Sequence, residues 1–267
     1  MTTTLDGTFN FRDTGGTPLI AGGATNAGVL YRSDALSGLT PEGLEQLAAS
    51  DIGVIADFRT PQEKQMAPDR LPTSRPFRVV DLPLLEGAVS GLAQQAMQSI
   101  AQSGDAAGTA AALDAALAQI PSLGDLYVSM LEHGAPSFAE LGRLVGAATV
   151  DPPTAVLVHC TAGKDRTGVS TALMLDAAGA ERAAVVADYA SSQEHLAGPW
   201  AEEMYAMVAK TGIPLTDSLR ELISGTPATA IEQAFAWIDA KGGSAAYLQS
   251  GGLTDAELAA LRRRLTS

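Results

Sequence analysis

Short apolar runs separated by turns dominate the first third of the chain, and the runs cover residues 29–32, 52–59 and 77–82. Runs of this length between turn residues are typical of buried strands. Thr40 between the first two runs can cap a helix, and Pro41 suits its first turn. The pattern therefore predicts three strands, with a helix over about residues 41–50 after the first.

Longer, helix-like patterns fill most of the remaining chain, and the clearest cover residues 123–130, 138–148 and 166–178. A short buried-type strand, Thr154–Val158, precedes the last of them. Strands that alternate with helices predict an α/β fold with a central, mainly parallel sheet flanked by helices on both faces. No linker interrupts the pattern, so residues 1–267 are interpreted as a single domain. The Ala-, Gln-, Ser- and Gly-rich stretch over about 87–120 is interpreted as a helical lid or a surface insertion.

Charge and hydropathy exclude several classes of protein. Among 267 residues, 17 are Lys or Arg and 30 are Asp or Glu, which gives a net charge of −13. Nucleic acids and anionic membranes need a basic face, so neither is an expected partner. No apolar stretch is long enough to span a membrane, and the N-terminus lacks the pattern of a signal peptide. These features predict a cytoplasmic protein, although export without a recognisable signal stays compatible with them.

Cys160 is the only cysteine of the chain. A lone cysteine cannot form an intramolecular disulfide, a cysteine-rich zinc site or a redox pair. The three histidines are widely spaced, so the sequence predicts neither a metal site nor a cofactor. Cys160 is then either an inert buried side chain or a nucleophile, and its neighbours decide between the two.

The loop after the last predicted strand favours the nucleophile. Cys160 ends the strand, and Arg166 begins the next helix six residues later. A loop this short must curl, which turns its backbone N–H groups towards a common centre at the positive end of the helix. Arg166 adds a planar fork for two phosphate oxygens, and the positive surroundings stabilise a thiolate. Gly163 permits the curled backbone, and Thr167 can place its hydroxyl near the sulfur.

The segment His159–Gly168 resembles the signature loop of the cysteine-dependent protein tyrosine phosphatases, His-Cys-x5-Arg-Ser/Thr. Further likeness to a bacterial, PtpB-like branch of this family lies in residues 10–16, 31–33, 57–60, 188–189 and 247–254. The resemblance implies a three-layer phosphatase fold and a phosphocysteine intermediate on Cys160. It also implies that the phosphate is bound by Arg166 and by a set of loop residues without a metal. This set is Thr161, Ala162, Gly163, Lys164 and Thr167.

The proton donor is less clearly marked. Neither tryptophan begins the Trp-Pro-Asp motif of many tyrosine phosphatases. PtpB-like enzymes are thought to use the loop aspartate, which here is Asp165, and Glu86 is the alternative. Asp165 is also open to a structural interpretation as a carboxylate stabilised by the helix dipole.

Three further side chains have two interpretations each. Lys164 resembles the loop lysine of phosphoinositide phosphatases, which meets a second phosphate, or it is a solvated lysine beside the cleft. Arg59 either lines the cleft or forms an ion pair with a neighbouring carboxylate. His159 precedes the nucleophile on a strand and faces the other way, so it is expected to be an orienting hydrogen-bond donor behind the loop.

The sequence therefore predicts a protein tyrosine phosphatase, a dual-specificity enzyme that also acts on phosphoserine, phosphothreonine or phosphoinositides. Phosphotyrosine proteins or peptides are the expected partners. The alternatives are a catalytically silent module that binds a phosphorylated ligand and a rhodanese-like sulfurtransferase. Silent modules usually lose the cysteine or the arginine, whereas this chain has both, and the Arg-Thr-Gly ending disfavours the sulfurtransferase.

Overall fold

The computed structural model describes residues 4–84, 121–148, 154–210 and 214–266. Its sheet contains the strands β1 (Arg12–Asp13), β2 (Leu30–Ser33), β3 (Ile52–Asp57), β4 (Arg78–Asp81) and β5 (Ala155–His159). Their order across the sheet is β1-β2-β5-β3-β4. Only the edge pair β1–β2 is antiparallel, and the other neighbours run parallel. The predicted mainly parallel sheet is thus confirmed, and β5 lies at its centre.

Helices account for most of the remaining described chain. The first five are α1 (Pro41–Ala49), α2 (Pro61–Met66), α3 (Leu123–Gly146), α4 (Arg166–Ala178) and α5 (Arg182–Leu196). The C-terminal part contains α6 (Pro199–Ala209), α7 (Asp217–Ser224), α8 (Ala228–Asp239), α9 (Gly243–Ser250) and α10 (Asp255–Thr266). Helix α3 packs against α8, α9 and α10, and α4 packs beside the sheet. The result is the predicted α/β architecture.

The two faces of the sheet bury separate hydrophobic clusters, because successive strand residues point to opposite sides. On β5, Val156 and Val158 enter the larger cluster, which the helices after residue 121 complete. Leu157 enters the smaller cluster with Leu47 of α1. Covering both faces gives the three layers that the sequence predicted.

Local signals placed several helix ends correctly. The Thr40 side chain accepts a hydrogen bond from the Gly43 N–H at the start of α1. Gly179 ends α4 with φ +92°, a left-handed conformation that favours glycine. The Thr254 hydroxyl and the Glu257 carboxylate bond each other's N–H groups at the start of α10.

Two of the predicted helical stretches belong to one longer helix. The separate patterns over 123–130 and 138–148 form the single helix α3, with Pro136 inside it. Proline removes one backbone donor and disfavours a helix interior. Here packing against three neighbouring helices keeps the helix continuous.

Two predictions fall outside the described residues, namely the lid or insertion over 87–120 and the alternative proton donor Glu86. No helix within the described ranges is long and apolar enough to cross a membrane.

Candidate active site

The loop from Cys160 to Asp165 leaves the sheet at its centre. Strand β5 pairs with β2 through Ser33–His159 and with β3 through Asp57–His159, so Cys160 follows at the carboxyl edge. Crevices at this edge are the usual ligand sites of parallel α/β sheets. Cys160 is a free thiol with 2% of its surface exposed, and α4 begins at the far end of the loop.

Four consecutive carbonyl groups of the loop are bonded from outside it. The Cys160 oxygen lies 3.3 Å from His159 Nδ1, and the Thr161 oxygen accepts the Ala35 N–H at 3.0 Å. The oxygens of Ala162 and Gly163 accept from the Asn10 side chain at 3.1 and 3.0 Å. The surrounding protein therefore contacts each of these four carbonyl groups.

The N–H groups of the same loop are left available. None of the amides of residues 161–165 donates a hydrogen bond within the described ranges of the chain. Gly163 has φ +68°, and a Cβ there would overlap the Ser33 carbonyl group. Together with the N-terminus of α4 behind them, these amides are a candidate anion nest.

Arg166 is held by a carboxylate that the sequence analysis missed. Its Nη1 and Nη2 bond Glu63 at 2.8 and 2.5 Å. Burial acts to raise the pKa of Glu63. The hydrogen bonds and the positive charge of Arg166, together with hydrogen bonds from Thr161 and Thr60, outweigh burial and lower the pKa to about 2. The Thr60-x-x-Glu63 capping box marks the start of α2 in the sequence, but nothing local connects it with Arg166.

Asp165 lies at the mouth of the loop with 16% of its side chain exposed. Its Oδ1 accepts hydrogen bonds from Tyr127 at 2.6 Å and from Lys164 at 2.9 Å. Asp165 is the residue before α4, but its side chain does not cap the helix. The second carboxylate oxygen forms no hydrogen bond with the described residues.

Tyr127 belongs to a tyrosine pair that the sequence analysis did not identify. Its hydroxyl lies 2.7 Å from that of Tyr189, and their rings are in edge contact with centroids 5.9 Å apart. Burial, and then the charge of Asp165, raise the pKa of both hydroxyls well above its ordinary value. Both tyrosines therefore act as neutral hydrogen-bonding groups.

The alternative interpretation of Lys164 as a solvated lysine is wrong. The residue is 1% exposed. Its Nζ donates to Asp165 Oδ1 at 2.9 Å and to the Gly225 carbonyl at 3.3 Å. The ammonium group thus ties the loop to the chain just after α7.

Behind the loop, His159 and Arg59 share two carboxylates, of which Asp57 is buried and Asp69 is half-buried. His159 Nε2 lies 3.2 Å from Asp69, and Arg59 bonds Asp69 at 2.7 Å and Asp57 at 2.9 Å. The ion-pair interpretation of Arg59 is confirmed, and the side chain is 1% exposed. His159, Asp57 and Asp69 could hold a metal ion by their spacing alone, but Arg59 already forms an ion pair with each of the two carboxylates.

The remaining predicted loop residues differ in their surroundings. Thr161 is exposed, and its hydroxyl donates to Glu63 at 2.6 Å. Ala162 is buried in a small cluster with Trp200 of α6. The Thr167 hydroxyl is buried and bonds no described residue, so the predicted bond to the Cys160 sulfur is not formed in this structure.

A buried cysteine, an arginine and a run of amides without partners among the described residues lie together at the carboxyl edge of a parallel sheet, as in a site for an oxyanion beside a thiol. The chain belongs to the tyrosine phosphatase family, whose profile matches residues 3–267. A tyrosine-protein phosphatase of Nostoc commune is 33% identical over 175 residues, which are 66% of this chain and 52% of that protein. The chain therefore spans about half the length of this relative.

The triple specificity protein phosphatase PtpB of Mycobacterium tuberculosis is 30% identical over 198 residues, or 71% of this chain and 68% of that protein. The match to the crystal structure of P. aeruginosa TpbA covers 74% of this chain and 88% of the TpbA chain, with 15% sequence identity and a TM-score of 0.32. This overlap is too slight to add to the description of the fold.

Proposed function

We propose that the protein is a cysteine-dependent phosphatase that hydrolyses phosphomonoesters, with phosphotyrosine as its leading substrate. The observation that carries the proposal is the loop itself. Four of its carbonyl groups are bonded from outside. The N–H groups of residues 161–165, which surround a buried thiol, donate no hydrogen bond within the described part of the chain. Such a nest accepts the three equatorial oxygens of a phosphoryl group in transfer.

In the first step, the Cys160 thiolate attacks phosphorus. A sulfur–phosphorus bond forms as the bond to the leaving oxygen breaks, and Asp165 gives that oxygen a proton. The loop amides and Arg166 stabilise the charge on the transferred group. Support for Asp165 as the donor comes from its position at the loop mouth and from the free second oxygen of its carboxyl group.

In the second step, water attacks the phosphocysteine. The Asp165 carboxylate takes a proton from this water, the sulfur–phosphorus bond breaks, and phosphate leaves with the thiolate restored. The proposal needs no metal, because Arg166 and the amides supply the positive charge.

Activity on phosphoserine, phosphothreonine and phosphoinositides is proposed as a second range of substrates. The name of the mycobacterial relative, a triple specificity phosphatase, favours it. A direct contact between Lys164 and a second phosphate would require its Nζ to leave Asp165 and Gly225, because the group is buried between them. The family match over residues 3–267 supports a single phosphatase domain.

Phosphate release from a phosphotyrosine peptide and from a phosphoinositide panel tests the proposal, with Cys160→Ser and Asp165→Asn beside the wild type. We expect the serine variant to be inactive and the asparagine variant to lose most on substrates with poor leaving groups. A wild type that is folded but inactive on every substrate would favour the phospho-ligand binding module or the sulfurtransferase instead. Unchanged activity in Cys160→Ser would refute the thiol mechanism.

A further inference from the structure

Three sequence segments that the proposed chemistry leaves without a role meet behind the active-site loop. Asn10 precedes β1, Arg32 lies in β2, and Asp188 lies in α5. Asn10 and Arg32 are both fully buried. Burying groups this polar is costly unless their hydrogen-bonding capacity is used. Their bonds go largely to the loop that follows Cys160.

Asn10 holds two successive carbonyl groups of the loop. Its Nδ2 donates to the oxygens of Ala162 at 3.1 Å and Gly163 at 3.0 Å. Its Oδ1 accepts from Arg12 Nη1 at 2.5 Å. Because arginine can only donate, this contact fixes the orientation of the amide and leaves its NH₂ group facing the loop.

Arg32 reinforces the second of these carbonyl groups. Its Nη2 donates to the Gly163 oxygen at 2.7 Å, and its Nη1 pairs with Asp188 at 2.6 Å. The other oxygen of Asp188 pairs with Arg12 at 2.8 Å. One carboxylate thus fixes both the arginine that contacts the loop and the arginine that orients Asn10.

The geometry of the peptide bond turns these contacts into a device for binding anions. In a planar trans peptide, the C=O of one residue and the N–H of the next point in opposite directions. When the carbonyl groups of Ala162 and Gly163 are held outward, the N–H groups of Gly163 and Lys164 must point to the inner side of the loop. Neither of these N–H groups donates a bond among the described residues.

We propose that Asn10 and Arg32 are positioning residues that keep these two amides directed at the bound phosphate, with Asp188 fixing their orientation. This inference rests on the proposed phosphate site. Asn10→Asp replaces the NH₂ group with an oxygen facing two carbonyl oxygens. Arg32→Lys keeps the charge opposite Asp188 but removes the fork that bridges it to Gly163. Asn26→Asp is the matched control, because Asn26 donates to the Arg264 carbonyl in α10, away from the loop.

The test is the protection of Cys160 from iodoacetamide by inorganic phosphate, followed by mass spectrometry of the single alkylated cysteine. This readout does not depend on turnover. We expect the half-protecting phosphate concentration to rise about tenfold or more in Asn10→Asp and Arg32→Lys, and to stay within about twofold of wild type in Asn26→Asp.

Two results would overturn the inference. These are protection within about twofold of wild type in both loop-facing variants, or an equal loss in Asn26→Asp. A wild type that phosphate protects but that hydrolyses nothing would refute the proposed function and leave the positioning test valid. A wild type that phosphate does not protect would refute both.

Discussion

Replacing Glu63 with glutamine measures how strongly the Arg166 pair stabilises the folded protein. Glutamine keeps the size of the side chain and still accepts the Thr60 N–H of the capping box. It removes the negative charge that both terminal nitrogens of Arg166 contact. The variant therefore isolates the charge pair from the helix cap.

The structure gives the magnitude. Burial acts to raise the pKa of Glu63, but Arg166 and the hydroxyl and amide donors outweigh it and lower the pKa from 4.5 to about 2. A lowering of this size corresponds to about 3 kcal/mol of interaction with the charged form. Because 30% of the Glu63 side chain is exposed, solvent screening reduces the expected effect to about 1–2 kcal/mol at pH 7.

The sign of the pH dependence follows from a pKa that is lower in the folded state. The stabilisation is complete above the unfolded pKa of 4.5 and is lost as the pH falls through about 2. The difference in unfolding free energy between wild type and Glu63→Gln should therefore fall to about 40% of its neutral value by about pH 3. Urea unfolding at a series of pH values measures this difference.

Glu257→Gln is the matched control, because Glu257 also closes a capping box and pairs with an arginine, but on the surface of α10. A smaller effect is expected there. A Glu63→Gln difference that is constant between about pH 3 and pH 7, or that equals the Glu257→Gln difference, would refute the reasoning. We also expect kcat to fall roughly tenfold or more, since Arg166 loses the group that orients it.

Two further substitutions test the site. Tyr127→Phe removes one of the two donors to Asp165, so kcat should fall about tenfold on aryl phosphates with poor leaving groups, with no further loss in an Asp165→Asn background. An equal loss for all leaving groups would contradict this role. Gly163→Ala should abolish phosphate binding and turnover, because the loop needs φ +68° and a Cβ would overlap β2. Gly179→Ala is the control, because Gly179 also has a positive φ but a Cβ there would overlap nothing. Thermal unfolding of this variant should show a destabilisation of about 1–2 kcal/mol. A loss of turnover as large as that of Gly163→Ala would contradict the steric argument.

The features that the sequence predicted well are those with local causes. Helix α4 runs from Arg166 to Ala178 as expected, because an apolar helical pattern ends at a glycine that adopts φ +92°. The curled loop before α4 has a local cause as well. The loop conformation is restricted because a short segment must connect the end of a strand to the start of a helix, with Gly163 in a left-handed conformation.

The features that the sequence analysis missed join residues far apart in the chain. Glu63 reaches Arg166 across 103 positions, and Asn10 reaches Gly163 across 153. Tyr127 reaches Asp165 across 38 positions. The capping box indicates the start of α2, and the segment around Asn10 resembles the family. Neither pattern indicates which distant residue these side chains contact. The strand order, with β5 between β2 and β3, brings Asn10 and Glu63 to the loop. Packing of α3 against α4 brings Tyr127 there.

The paired charges explain how a protein of net charge −13 presents an anion site. The buried or half-buried cations around the loop each contact a carboxylate, in the pairs Arg166–Glu63, Lys164–Asp165, Arg32–Asp188 and Arg59–Asp57. Net charge close to the loop is therefore nearly balanced. What distinguishes the inner side of the loop is the direction of its dipoles, since its carbonyl groups are bonded from outside and its amides bond no residue that the structure describes. Fixed dipoles act over short distances and need no excess of cations, so the affinity for phosphate should depend more on the groups that anchor the carbonyls than on the charge of the surface.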